Sequence, residues 1–159
     1  MRPPDGIKID HADWEKENWQ KKLYTNAAGQ VIVPRKMTRA GLIAACKFTT
    51  LKPPGRLRSF SPLVKTCVVI EDDAKMEFDS KQLKAWGPEF PTRGKGKMPV
   101  FRPLIELPWA FGVTVNVYDD NLKRAVIDDL FEVFGRVCGL GEAREYMGYG
   151  RFESTVTEI

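Results

Sequence analysis

The stretch that most restricts how this chain can fold is Cys138-Gly139-Leu140-Gly141-Glu142-Ala143-Arg144-Glu145-Tyr146-Met147-Gly148-Tyr149-Gly150-Arg151-Phe152. Two Gly-x-Gly pairs stand seven residues apart, with Arg144, Tyr146, Tyr149 and Arg151 between or beside them. An amphipathic pattern, Leu122–Val137, runs into this stretch, and an alternating one, Arg151–Glu158, runs out. Helix, double-glycine loop and strand form a place where something can lie against bare main chain, since glycine takes positive φ and admits a second backbone. The order matters. Dinucleotide folds carry their glycines after a strand and before a helix, and a P-loop requires Gly-Lys-Ser/Thr, which is missing. The plainer alternative is a long αβ connection whose first glycine stops the helix and whose others relieve packing.

A chain of 159 residues predicts one domain, 1–159, or one with a large insertion. Its 43% apolar and 29% charged residues are ordinary for a globular protein. No apolar run reaches the roughly 18 residues of a membrane span, and Met-Arg-Pro-Pro-Asp-Gly does not resemble a signal peptide. A cytoplasmic protein with no membrane partner is expected. Cys46, Cys67 and Cys138 are odd in number and scattered, so reduced, packed thiols are expected. With one histidine and three scattered cysteines a metal site is not expected, a Ser-His-Asp or Cys-His arrangement could use only His11, which lies in a charged N-terminal segment, and no cofactor is expected.

Charge is distributed unevenly. From Asn18 to Ile70 there is no acid, against ten bases: Lys21, Lys22, Arg35, Lys36, Arg39, Lys47, Lys52, Arg56, Arg58 and Lys65. From Asp119 to Ile159 nine acids face five bases. An anionic polymer would exploit such an asymmetry, because every neutralised phosphate releases a counterion. The alternative is a solvated basic surface, or attraction between the two regions.

In chain order, residues 1–24 read as an N-terminal arm with a helix over Ala12–Leu23 capped by Asp10 or Asp13. Asn26–Gly29 is a turn, Val31–Val33 a strand that Pro34 stops, and Arg35–Lys47 a helix with Thr38 as cap and Gly41 in close contact with a sheet. Thr49–Leu63 reads as irregular and basic, Val64–Ile70 as a strand, and Ser80–Trp86 as a short helical turn. Residues 87–99 are expected to be a flexible basic loop, with Arg93-Gly94-Lys95-Gly96-Lys97 at its centre. Val100–Glu106 and Phe111–Tyr118 predict two strands, with Pro108 between them in a wide hairpin connection or a bulged corner. Asp119-Asp120-Asn121 caps the helix Leu122–Val137, whose core stripe is Leu122, Val126, Leu130, Val133, Phe134 and Val137. The glycine loop and a last strand, Arg151–Glu158, come next. Strand, helix, long insertion, two strands, helix, strand is the α+β, ferredoxin-like (RRM-like) pattern, an antiparallel sheet with two helices and a long basic insertion.

Two segments carry a resemblance. The run from Leu23 to Leu42 places a glycine turn before the apolar strand end Val31-Ile32-Val33-Pro34, and then opens a helix with Arg35-Lys36-Met37-Thr38-Arg39-Ala40-Gly41-Leu42. The other is the glycine loop Gly139–Gly150 before an aromatic-bearing strand. Together they resemble the RAMP superfamily of CRISPR-associated proteins, some small relatives of which are carried by bacteriophages. The resemblance implies guide-RNA or other single-stranded nucleic-acid binding on a ferredoxin-like core in a bacterial host cell. By that analogy Arg35, Lys36 and Arg39 contact phosphates. Gly139, Gly141, Gly148 and Gly150 admit the strand, with Arg144 and Arg151 alongside. The insertion, with Arg93, Lys95 and Lys97, holds a neighbour or the target. The chain is shorter than the usual guide-binding subunit, and the strand that normally precedes the first motif is either poorly supplied by Ile7–Ile9, trimmed from the start shown, or donated by a neighbouring chain.

A non-catalytic single-strand-binding protein is therefore the leading expectation, its partners single-stranded RNA or DNA, copies of itself, or other subunits of an effector complex. Arg56 and Arg58 extend its basic groove, and Phe60, Tyr146 and Tyr149 are available for stacking. One alternative is a metal-independent endoribonuclease using His11, Tyr24 and Lys36, although His11 lies upstream of the first motif. Another is a phage decoy that inserts into a host guide complex without nucleic acid.

Overall fold

The computed structural model describes residues 10–89, 92–93, 96–97, 99–141 and 148–159, with backbone alone at 92–93 and 96–97. Along the chain the elements are α1 (His11–Asn18), β1 (Ile32–Val33), α2 (Arg35–Ala45), α3 (Ser61–Cys67), β2 (Val68–Ile70), β3 (Ala74–Glu77), β4 (Leu83–Glu89), β5 (Thr92–Arg93), β6 (Gly96–Lys97), β7 (Val100–Ile105), β8 (Ala110–Phe111), β9 (Val115–Val117) and α4 (Arg124–Val133). The fold is mixed α+β with small antiparallel sheets. The described strands fall into four of them, ordered β1-β3-β8, β2-β9, β4-β7 and β5-β6. Two compact units result: one takes in the chain up to Ile32 together with Lys75–Gly112, the other Val33–Ala74 with Val113–Ile159.

The second unit is built on α2 and α4. Pro34 opens α2 with its ring-fixed φ of −59°, and the Asp73 carboxylate accepts from Arg35 N at 2.7 Å, capping the helix from outside it. Thr38 does not cap. It lies within the helix, fully buried with Leu42 and Ala45, and its hydroxyl is without a hydrogen-bond partner. Gly41 makes a close contact, but with the α4 side rather than a sheet: a Cβ there would stand 2.0 Å from Phe134 Cε2. Phe134 fills that space almost completely buried, 5.0 Å and edge-on from Phe152 and 6.5 Å from Phe131.

The acids before α4 close a turn instead of capping: Asp119 Oδ1 accepts from Asn121 N at 2.8 Å, and Lys123 occupies the N-cap. The helix then widens into a π-type turn, Phe134–Cys138, closed by Gly139 N donating to Phe134 O at 2.7 Å. One additional residue in the turn rotates the side chains beyond it around the helix axis. Val137, expected in the core, is 43% exposed, and Cys138 is buried in its place. Ile127 and Phe131 join Leu122, Leu130 and Phe134 on the inward face, with Val126 and Val133 packed beside it.

Three strand expectations change. Helix α3 carries Val64–Cys67, started by Val64 N donating to Phe60 O at 2.9 Å, so strand β2 begins only at Val68. Phe111–Tyr118 is broken: β8 pairs with β3, whereas β9 pairs with β2 in the register Val68↔Val117, Val69↔Asn116, Ile70↔Val115. Arg151–Glu158 forms no strand. It runs extended along α4, with Phe152 and Val156 packed on the core, Phe152 N donating to Gly135 O at 3.2 Å and Arg124 Nη2 to Val156 O at 3.0 Å.

In the first unit Asp10 caps α1 by accepting from Ala12 N at 2.8 Å, and a 3-10 turn, Trp19–Lys22, extends it. Glu15 is buried and paired with Lys22, whose Nζ also donates to Phe101 O at 2.6 Å, while Phe101 N donates to Glu15 at 3.3 Å. This pins the helix to β7. The connection at Pro108 is not a hairpin between neighbours, since β7 pairs with β4 and β8 with β3. Ser80–Trp86 is a 3-10 turn, Ser80–Gln82, that leads straight into β4. Residues 87–99 are not all loop: β4 continues to Glu89, and β5 and β6 pair with Thr92↔Lys97 and Arg93↔Gly96.

Packing and charge each give a prediction. Gly41→Ala gains about 1 kcal/mol of helix propensity but overpacks Phe134 by about 1–3 kcal/mol, so urea denaturation should show a net loss, partly recovered in Gly41→Ala/Phe134→Leu. Burial pushes the Glu15 carboxyl up, the Lys22 hydrogen bond and charge and the Phe101 N–H act against it, and the carboxyl is held below its ordinary value. Its stabilisation is then full above the unfolded carboxyl pKa of roughly 4.3 and lost as pH falls through the folded value. Glu15→Gln should flatten stability against pH in the acid range; an unchanged acid limb would contradict the pairing.

Candidate nucleic-acid interface

The acid-free sequence supplies most of the exposed cations of the second unit. Arg35, Lys36 and Arg39 project from α2, Lys65 from α3, and Lys47, Lys52, Arg56 and Arg58 from the chain between those helices; all are exposed. Arg35 and Arg39, one turn apart, are also structural. Arg35 Nη1 donates to Glu71 O at 3.3 Å, and Arg39 Nη2 to Lys65 O at 2.5 Å, in the last turn of α3, where carbonyls favour a cation. The Asp73 carboxylate on Arg35 N puts a negative group at that end of α2. An acid-free sequence is thus not an acid-free surface there. Arg56 and Arg58 come just after the turn at Gly55, away in sequence from those carboxylates.

The glycine loop is read from its described ends. Gly139 and Gly150 face the chain itself: a Cβ on Gly150 would meet Leu140 O at 1.9 Å and one on Gly139 would meet Tyr149 O at 2.9 Å, and Leu140 N donates to Gly150 O at 2.9 Å. Their close approach is to their own loop base, not to a bound strand. Gly141 and Gly148, with φ of +87° and +69°, have no described atom within 4 Å of where a Cβ would be. Tyr149 and Arg151 are exposed. Arg144, Tyr146 and Lys95 lie outside the described residues, as do the side chains of Arg93 and Lys97.

Of the aromatics expected to stack, Phe60 is excluded, since it is 2% exposed in the core. Phe48, just beyond the C-terminal end of α2, is 56% exposed. His11 begins α1 with its Nδ1 buried and unpartnered, and Tyr24 is 48% exposed; both belong to the first unit, and Lys36 to the second.

An open cleft of about 600 Å³ lies between α4 and residues 152–156. Its cations are already neutralised, Arg124 by Asp128 at 3.5 Å and Arg136 by Glu132 at 2.6 Å, so it offers no excess charge to a phosphate. Burial pushes the Cys46 thiol up to about 11, leaving it neutral and unsuited to nucleophilic attack near pH 7. Among the described residues no group of His, Cys, Asp and Glu could hold a metal ion, and no helix is long and apolar enough to cross a membrane.

The loop base is testable. Gly150→Ala, strained in φ and blocked by backbone, should lower stability by about 2 kcal/mol or more, and Gly148→Ala, strained alone, by about 1 kcal/mol; thermal melts that rank them in reverse would contradict the closure. Neither the known protein families nor the characterised proteins compared with this chain match it.

Proposed function

We propose that this is a non-catalytic protein that binds single-stranded nucleic acid through the cations of its second unit. The observation that carries the reading is the run Asn18–Ile70, ten bases without an acid, eight of them exposed in Val33–Ala74. A phosphate backbone with one charge per nucleotide is a polymer that such a run attracts, by releasing counterions. The second support is the resemblance to RAMP proteins in Leu23–Leu42 and Gly139–Gly150. A ferredoxin-like core is the corresponding proposal for the fold. In a β-α-β-β-α-β chain the strand after the first long helix pairs with the strand before the second, as β2 and β9 do around α2 and α4. Gly141 and Gly148, where no described residue stands in the way of a Cβ, are the loop positions proposed to fit a bound backbone; Gly139 and Gly150 are closed on their own loop base.

The test is a salt titration with labelled oligonucleotides of DNA and RNA, single-stranded and duplex. With about four phosphates engaged, affinity for a single strand should fall roughly 50-fold between 50 and 200 mM salt, and duplex should bind more weakly. Arg56→Ala and Arg58→Ala should each flatten that dependence by about 0.7 in the log–log slope without altering stability. Binding that is flat in salt would remove the proposal.

A further inference from the structure

We propose that the segment Lys47–Arg58 is a base-stacking subsite, with the Phe48 ring as its platform; the inference rests on the single-strand reading above and names where bases, as opposed to phosphates, are held. The segment is irregular but anchored. Phe48 N and Thr49 N both donate to Ala45 O, at 2.9 and 3.1 Å, continuing the end of α2. The Thr49 hydroxyl is hydrogen-bonded to the Asp129 carboxylate and accepts from Leu51 N at 3.1 Å. Pro53 is buried, and Phe60 seals the far end in the core. Held at those points, the segment presents Phe48, Leu51 and Leu57 outward, 56%, 38% and 39% exposed.

Isolated exposed apolar side chains are ordinary. What singles this segment out is the interleaving: Lys47-Phe48, Leu51-Lys52 and Arg56-Leu57-Arg58 alternate apolar groups with exposed cations, and no acid occurs between. A ligand that fits offers flat apolar faces and a negative charge at short, regular intervals. Single-stranded nucleic acid does so; duplex hides its base faces, and a protein partner has no such repeat. An anionic lipid surface shares the charge, but binding in its plane calls for cations and apolar groups on opposite faces of a helix. Here they alternate along a segment without helix. Base–aromatic stacking tolerates any base, so sequence-independent binding is expected.

The experiment compares wild type, Phe48→Ala, Phe48→Trp and Arg56→Ala for binding to 20-nucleotide strands of deoxythymidine and of uridine, the matching duplex, and vesicles containing phosphatidylserine. Phe48→Ala should weaken single-strand binding about 5- to 100-fold, leave the salt slope and melting temperature unchanged, and be rescued by Phe48→Trp. Arg56→Ala should do the converse, reducing the slope. If strands bind with a steep salt dependence and Phe48→Ala binds them as tightly as wild type, the subsite is overturned and the phosphate reading stands. If no strand binds, both fall, and binding to vesicles alone overturns both in favour of a lipid surface.

Discussion

The second unit turns on one contact, the Phe134 ring lying in the space that Gly41 leaves on α2. A large, rigid side chain buried this completely fixes how closely two helices can come, because protein interiors are packed at crystal density and neighbours cannot yield. The same residue starts the π-type turn, its carbonyl accepts from Gly139 N, and its ring edge meets Phe152. Helix spacing, the entry to the glycine loop and the seating of the extended tail are therefore set together. Gly135 repeats the device one residue on, where a Cβ would stand 2.1 Å from Phe152 O. Small residues on one side of the packing are matched by Phe134 and Phe152 on the other.

The features legible in the sequence are those set by local chemistry. Asp10 before α1, Pro34 before α2, and Val100–Ile105 as a strand need only capping, ring geometry and side-chain shape to be read correctly. Where sequence reasoning fails, a partner distant in the chain decides. Thr38 looks like a cap until Asp73, far downstream, takes that task. Val64–Cys67 is β-branched enough to suggest a strand, but helix α3 buries Val64 beside α2. Gly112 separates two halves of a period-two pattern that pair with different strands, and alternation alone gives no sign of which partner each half takes. The π-type turn is invisible to a 3.6-residue template, which puts Val137 in the core and leaves Cys138 out.

The candidate site is legible as charge but not as division of labour. Ten bases without an acid can be counted, yet the fold separates those that brace it, Arg35 and Arg39 on carbonyls of Glu71 and Lys65, from Arg56 and Arg58, which are exposed beyond Gly55. Aromatic residues divide similarly. Phe60 and Phe48 both lie in the basic stretch, and whether each is inside or outside depends on where α2 ends and α3 begins.

The two units alternate along the chain, which passes from one to the other after Ile32, Ala74 and Gly112. Val31 O accepts from Met76 N, and Met76 in turn faces Phe111 across β3–β8. Neither body is a single contiguous segment, so on a ribosome neither can be finished early: the first waits for Gly112, and the second for the tail that seats Phe152 and Val156 against α4.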